Sequence, residues 1–294
     1  MRTRSRVALA LVLGAVLAAP AAAAPVFELA WRSGFENGFP GGEWLDYDDG
    51  AFSPGGGMPP GRSAAWTIVS RDSGEPVLEG EHAYRGWITG PADGDVHRAY
   101  PGLHVGDSPE LPEPIPAPLV NVFHVWLDAD TDSLASHEWI HLATWANNVD
   151  WDVHTMSVRE GRLEFAHTEP FNGEYIVPWP QPEFPLRRWV RLTAYLEYDG
   201  PEGFVQVWQN GGPMLRARYT RRAGTQLRRA HWGMYADGGV TDAVQYNDAI
   251  ELWTLSEPLS DLVTEPLPAP EPAGAAGAAV AALGALARRR QRSR

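Results

Sequence analysis

The sequence predicts an all-β protein of two stacked antiparallel sheets, and three observations carry that prediction. The first is alternation. Across residues 190–198, Val190, Leu192, Ala194, Leu196 and Tyr198 take every second position, with Arg191, Thr193, Tyr195 and Glu197 between them. Successive strand side chains point to opposite faces, so this is the period of a half-buried strand and not of a helix. The second is turn chemistry. "DGPEG" (199–203) ends that strand, "FVQVWQ" (204–209) runs back, and Asn210-Gly211 follows. Asn and Gly tolerate the positive φ that tight hairpins demand. The third is spacing: strand-like runs recur at intervals of roughly 10–15 residues between turn-rich segments. No helical period appears outside the terminal segments.

In chain order, "FELAWRSGFENGF" (27–39) reads as an opening strand and turn. Residues 41–62, rich in Gly and Pro with Asp46, Asp48 and Asp49, read as a loop. "AAWTIVS" (64–70), "HAYRGWITG" (82–90) and "DVHRAYP" (95–101) are strands. The prolines of "GDSPELPEPIPAP" (106–118) lack an amide donor and hold their neighbours extended, which makes a surface loop. "LVNVFHVWLDA" (119–129) turns Phe123, Val125 and Leu127 to one face and His124, Trp126 and Asp128 to the other. "EWIHLATWA" (138–146) alternates likewise, with Ile140 and Leu142 inward and Trp139, His141 and Trp145 outward. "HTMSVREGRLEFAH" (154–167) is a hairpin turning at Glu160-Gly161. "HWGMYADGG" (231–239) and "YNDAIELWTL" (246–255) supply the last strands, Asn247-Asp248 being structural.

The ends carry export chemistry. Arg2, Arg4 and Arg6 precede an apolar run (7–19) and the small residues 21–24, the layout of a signal peptide over 1–23. Pro270-Glu271-Pro272 leads into a small apolar segment (273–287) and then Arg288-Arg289-Arg290. This resembles the PEP-CTERM sorting tail of Gram-negative bacteria. The resemblance implies a cell-surface or extracellular location and a sorting machinery as partner for residues 263–294. Residues 24–262 are then one domain, expected to be a monomer. The chain has no cysteine, so disulfides and thiolate chemistry are excluded. All 24 basic residues are arginine, yet the formal net charge is −13, which argues against nucleic acid as a partner. Thirteen tryptophans fit a β domain with aromatic contact surfaces.

The order "GEHAYRGWI…HRAYP", "FHVWLDA", "RWVRLTAYLEY…GFVQVWQNG", "HWGMYA" and "NDAIEL" resembles a concanavalin A-like jelly roll. More narrowly it is similar to secreted polysaccharide lyases of the heparin lyase and alginate lyase type. In that family a strand bearing Arg, one bearing His and one bearing Tyr meet in a groove. The resemblance implies a polysaccharide partner and cleavage of uronic-acid polymers by β-elimination. "HRAYP" holds one Arg where the family has two with an acid between, and "NVFHVW" does not reproduce Gln-x-His.

β-Elimination needs a group to neutralise the uronate carboxylate, a base for the C5 proton and an acid for the leaving oxygen. Arg98 suits the carboxylate because its guanidinium is forked and permanently charged. His124 and Tyr235 are the proton-transfer candidates. Asn121 or Asn147 would add neutral donors. Trp126, Trp139, His141, Trp145, Arg191, Tyr195 and Trp208 complete the expected sugar-contact set with Asn121. No cofactor and no metal site is expected. The competing reading is a non-catalytic carbohydrate-binding or surface-matrix module.

One further motif points elsewhere. His137-Glu138-Trp139-Ile140-His141 matches H-E-x-x-H, a zinc-peptidase signature that requires a helix to bring the two imidazoles to one metal. Glu160 would be its distant third ligand. On a strand the two rings stand about 13 Å apart, too far to share one ion. Asp128, Asp130 and Asp132 read as a solvated acidic turn, without the Gly and Glu of a calcium loop.

Overall fold

A computed structural model describes residues 25–38, 44, 52–106, 111–130, 138–146, 152–169, 173–176, 183–197, 202–220, 226–262 and 264–267. The export segment, the C-terminal tail, most of the 41–62 loop's first half, Asp132, His137 and Asn147 lie outside the described residues.

The strands are β1 (Phe27–Ser33), β2 (Ala64–Ser70), β3 (His82–Thr89), β4 (Val96–Ala99), β5 (Gly102–His104), β6 (Leu119–Ala129), β7 (Ile140–Ala146) and β8 (Val153–Arg159). They continue as β9 (Arg162–Glu169), β10 (Gly173–Ile176), β11 (Trp189–Glu197), β12 (Glu202–Gln209), β13 (Gly212–Thr220), β14 (Arg229–Asp237) and β15 (Asp242–Leu255). Eight of them make one sheet, ordered β13-β12-β11-β6-β15-β3-β2, with β1 also paired to β15. Seven make the other, ordered β10-β9-β8-β7-β14-β4, with β5 also paired to β14. Every named pairing is antiparallel. The chain is a two-sheet jelly-roll sandwich, as its alternation predicts.

Side-chain parity builds the interior. Phe123, Val125 and Leu127 of β6 meet Val190, Leu192, Ala194 and Leu196 of β11 in one core cluster, together with Met156, Phe165, Trp232 and Met234 from the opposite sheet. The hairpin turns are those expected. Asn210 and Gly211 have φ of 51° and 85°, and Glu160 and Gly161 have 48° and 72°. Two successive positive φ values give the turn that matches the twist of its strands. Asn121 faces inward at the centre of the sandwich. Its Oδ1 accepts from the indole N–H of Trp145 at 3.1 Å and of Trp232 at 2.9 Å, and its Nδ2 donates to the Glu251 carbonyl at 2.8 Å. Asp248 is structural, its carboxylate accepting from the amides of Leu78 and Glu79 at 2.9 and 3.0 Å.

Two expectations about faces are corrected. Trp145 points inward and is fully buried, not outward. The register shifts between His141 and Ala143, so Leu142 and Ala143 both enter the core and the alternation changes phase. A bulge of this kind costs one residue of register and re-aims every side chain beyond it.

The second correction concerns β11 and β12, whose polar and aromatic face is covered and not open. Residues 256–262 and 264–267 cross the outer side of this sheet as a strap. Leu259, Leu262 and Leu267 pack on Val120, Val122, Tyr195, Phe204 and Trp208. Glu265, 6% exposed, accepts from the Arg191 guanidinium and from the Thr193 hydroxyl, while Arg191 also donates to the Leu267 carbonyl. The Leu259 amide donates to the Tyr195 hydroxyl at 3.1 Å. Removing one member of a buried ion pair leaves the other charge without compensation. Glu265→Ala is therefore expected to destabilise the domain by about 3 kcal/mol, read by urea unfolding, whereas a Glu265→Met, Arg191→Met double variant should lose much less.

Candidate functional site

The outer face of the β10–β4 sheet holds a groove of about 460 Å³. Five strands build it. β14 adjoins β4 on one side and β7, then β8 and β9, on the other. Tyr235 stands opposite Arg98 in one register and opposite His141 in the other. His231 lies two strand steps along on the same face, opposite Thr144. Arg98, Tyr100, His141, Thr144, Arg229, His231 and Tyr235 line the groove, with Thr155 and Thr168 at its far end.

Tyr235 is the hub. Trp139, His141, Tyr100 and His231 surround its ring with centroids at 5.0, 4.9, 5.6 and 5.9 Å, all edge-on. Edge-to-face contacts suit the ring quadrupoles and hold each group in one orientation. Trp139 stacks on His141 at 4.0 Å, and Tyr100 on His231 at 3.8 Å. The Arg98 guanidinium carbon lies 5.7 Å from the Tyr235 ring centre. Gly233 makes room behind this cluster. Its φ is +138°, and a β-carbon there would come within 2.7 Å of the Tyr84 ring and hydroxyl. Tyr84 fills that space from the other sheet, accepting from the Met234 amide at 2.8 Å and donating to the Ala99 carbonyl.

Three polar atoms of the lining residues stand out. Nδ1 of His141, Nδ1 of His231 and Oγ1 of Thr144 are buried without a hydrogen bond among the described residues. Leaving such atoms unpaired costs free energy, and a bound ligand or solvent recovers it. Burial pushes the His231 pKa down to about 3 and that of His141 well below the usual imidazole range, the latter aided by His231 and Arg159. Both rings are neutral at pH 7.

These shifts set an acid sensitivity with a definite sign. Unfolded His231 takes up a proton near pH 6.5, as an ordinary imidazole does, while the folded ring stays neutral to about 3. Stability is complete above pH 6.5 and falls as the pH drops through that window, by up to about 1.4 kcal/mol per pH unit for one group. In Tm measurements from pH 7 to pH 4, His231→Phe, which keeps the stack on Tyr100, should show a shallower decline than the wild type.

Of the residues singled out from sequence, Arg98, Tyr235, Trp139 and His141 come together here. The others do not. His124 sits in β6 on the opposite sheet, its register partners Arg191 and Asp248, with Nδ1 3.4 Å from the Ala249 carbonyl. Burial, with Arg191 nearby, takes its pKa down to about 4. Trp126 packs edge-on against Tyr246 on that same sheet, at 5.2 Å. Arg191, Tyr195 and Trp208 lie under the strap, and Asn121 and Trp145 lie between the sheets. A single groove containing Arg98, His124 and Tyr235 is thus corrected. His231, Tyr100 and Arg229 were missed. His231 had a readable signal, because in "HWGMY" it shares the face of Tyr235 by the two-residue period. The H-E-x-x-H motif is corrected too: Ile140 and His141 begin a strand, and Glu160 occupies a hairpin turn. Asp128 pairs with Arg187 at 2.7 Å.

Fold and groove together define a concanavalin A-like jelly-roll sandwich with an aromatic, arginine-bearing groove on one sheet. Among solved structures, the chain is similar to one described as the cellulose-induced protein Cip1, at 12% identity and a TM-score of 0.50, covering 76% of this chain and 96% of that one. The receptor-binding domain of botulinum neurotoxin type G aligns at 8% identity and a TM-score of 0.42, covering 67% of this chain and 44% of that one. The serotype D ligand-binding domain, solved in complex with N-acetylneuraminic acid, aligns at 10% and 0.39, covering 60% and 39%. No protein-family model matches the sequence, and no curated protein is detectably similar to it.

Proposed function

We propose that this is an exported carbohydrate-handling protein whose groove takes an acidic polysaccharide and cleaves it by β-elimination. One observation carries the reading. On a chain of net charge −13, the described groove lining contains Arg98 and Arg229 and no carboxylate. That local reversal of sign favours an anionic ligand, since focused charge in a cleft outweighs distant surface charge screened beyond about 8 Å. The aromatic groups give flat faces for sugar rings. The likeness to a protein named as cellulose-induced is compatible with carbohydrate as the ligand class.

In this reading Arg98 and Arg229 hold the uronate carboxylate and stabilise the charge that builds when the C5 proton leaves. The Tyr235 hydroxyl gives its proton to the leaving C4 oxygen while its oxygen takes the C5 proton, as the C5–H and C4–O bonds break and the C4=C5 bond forms. Neutral His141 and His231 offer hydrogen bonds through their unpaired nitrogens and orient the ring. The low basicity of these two imidazoles favours a second reading, a groove that binds the same polymers without turnover.

Incubating the folded protein with alginate, glucuronan and heparin-type polymers decides between them. A lyase product carries a new C=C bond conjugated to the carboxylate and absorbs in the ultraviolet. A flat trace with every polymer excludes the lyase on these substrates. Tryptophan quenching on titration, in the absence of turnover, would establish the binding module.

A further inference from the structure

Away from the groove, on the inner face of the sheet that carries it, β8 and β9 bury a cluster that the proposed reaction does not use. His154 of β8 stands directly opposite His167 of β9. Both share the inward parity of Met156, Val158, Leu163 and Phe165. Asp152, one residue before β8, completes the group. Their exposures are 1% for Asp152, 3% for His154 and 2% for His167. Asp152 Oδ1 lies 2.5 Å from His167 Nε2 and 3.9 Å from His154 Nε2. One donor atom from each residue falls within 4.8 Å of the others. The imidazoles lie 4.8 Å apart at 22°, and the Tyr219 ring of β13 closes over them from the other sheet at 5.2 and 4.7 Å.

A carboxylate and two imidazoles set among Phe165, Tyr219 and the aliphatic core are costly to bury unless their charges and lone pairs are satisfied together. The carboxylate serves His167 at hydrogen-bond distance, whereas 3.9 Å to His154 is beyond it. The three donor atoms converge closely enough for one divalent cation to be held among them. Zinc held at about 2.0–2.1 Å by nitrogen and oxygen sets neighbouring ligand atoms roughly 3.3 Å apart, and the two separations here bracket that value. Two nitrogens and one hard oxygen, without sulfur, are a donor set for zinc among the available divalent ions.

We propose that Asp152, His154 and His167 form a zinc site that pins the start of β8 to β9 inside the sandwich, with the fourth position left to water or the Tyr219 hydroxyl. The neighbours of the ligands on the same strands, Val153, Thr155 and Thr168, face the groove on the opposite side. The ion is thereby a support beneath the groove floor and not a participant in it.

The test uses the untagged full chain, stripped with a chelator and then given zinc. Elemental analysis after desalting should find about one zinc per chain, and Tm should rise by several degrees on loading, as binding to the native state alone requires. His154→Phe should lose the zinc and the thermal response together. Cobalt offered to the wild type should give the intense visible bands of a low-coordinate site with nitrogen ligands, a readout that needs no variant to fold. Failure of the wild type to take up stoichiometric zinc would overturn the proposal. So would full retention of zinc by folded His154→Phe. Neither outcome bears on polymer cleavage, so this site and the groove stand or fall separately.

Discussion

Tyr235→Phe is expected, on the proposed lyase reading, to lower the rate of polymer cleavage by about 10²–10⁴-fold, the span typical of removing a proton-transfer group. The variant isolates chemistry from architecture. Tyr235 meets Trp139, His141, Tyr100 and His231 through its ring, and phenylalanine keeps that ring in place. Substrate affinity should therefore change little while kcat collapses. Arg98→Ala should fail differently. Loss of the guanidinium weakens both ground-state binding and stabilisation of the developing charge, so KM rises as kcat falls. His124→Ala is the discriminating control, because His124 lies on the other sheet and its removal should leave turnover unchanged. Initial rates of ultraviolet absorbance, with circular dichroism to verify folding, check all three. A Tyr235→Phe protein with wild-type kcat would remove Tyr235 from the chemistry.

Asn121→Ala is expected to cost about 3–5 kcal/mol of stability, enough to remove a large part of a typical domain's margin. The reason is that one side chain satisfies three buried groups. Trp145 and Trp232 of one sheet donate to its oxygen, and its nitrogen reaches the Glu251 carbonyl of the other. Truncation strands two indole donors and a carbonyl in the core, at about 1–3 kcal/mol each before relaxation, and leaves a small cavity besides. Urea unfolding measures the loss. Asn121→Leu combined with Trp145→Phe should recover part of it, since the shape is then refilled and one stranded donor is gone.

The strands were legible wherever local rules decide them. β2 and β6 begin and end where alternation places them, and the Asn210-Gly211 and Glu160-Gly161 turns follow from positive-φ chemistry. The groove was partly legible. Arg98, His141 and Tyr235 are outward residues of strands that pair, but which strands pair is non-local information that no single segment carries. The bulge at Leu142 hid the inward turn of Trp145, because a period-two reading has no means of registering an inserted residue. The misassigned face of β11 has a different cause. Arg191 finds its partner in Glu265, 74 residues later, within a segment that has no strand period. Without that partner, Arg191, Tyr195 and Trp208 look like an open contact surface. The histidine pair of β8 and β9 escaped notice because 13 positions separate its members, and only hairpin register sets them opposite.

The strap fixes which way the molecule faces. It is drawn down across the outer side of one sheet as far as the Leu267 carbonyl, held there by Arg191, whereas the groove opens on the outer side of the other sheet. Leu267, the last described residue, therefore lies at the back of the domain. A tether at that end, whether to an envelope, a matrix or an artificial bead, would present the groove outward and leave it clear of the surface to which the protein is fixed.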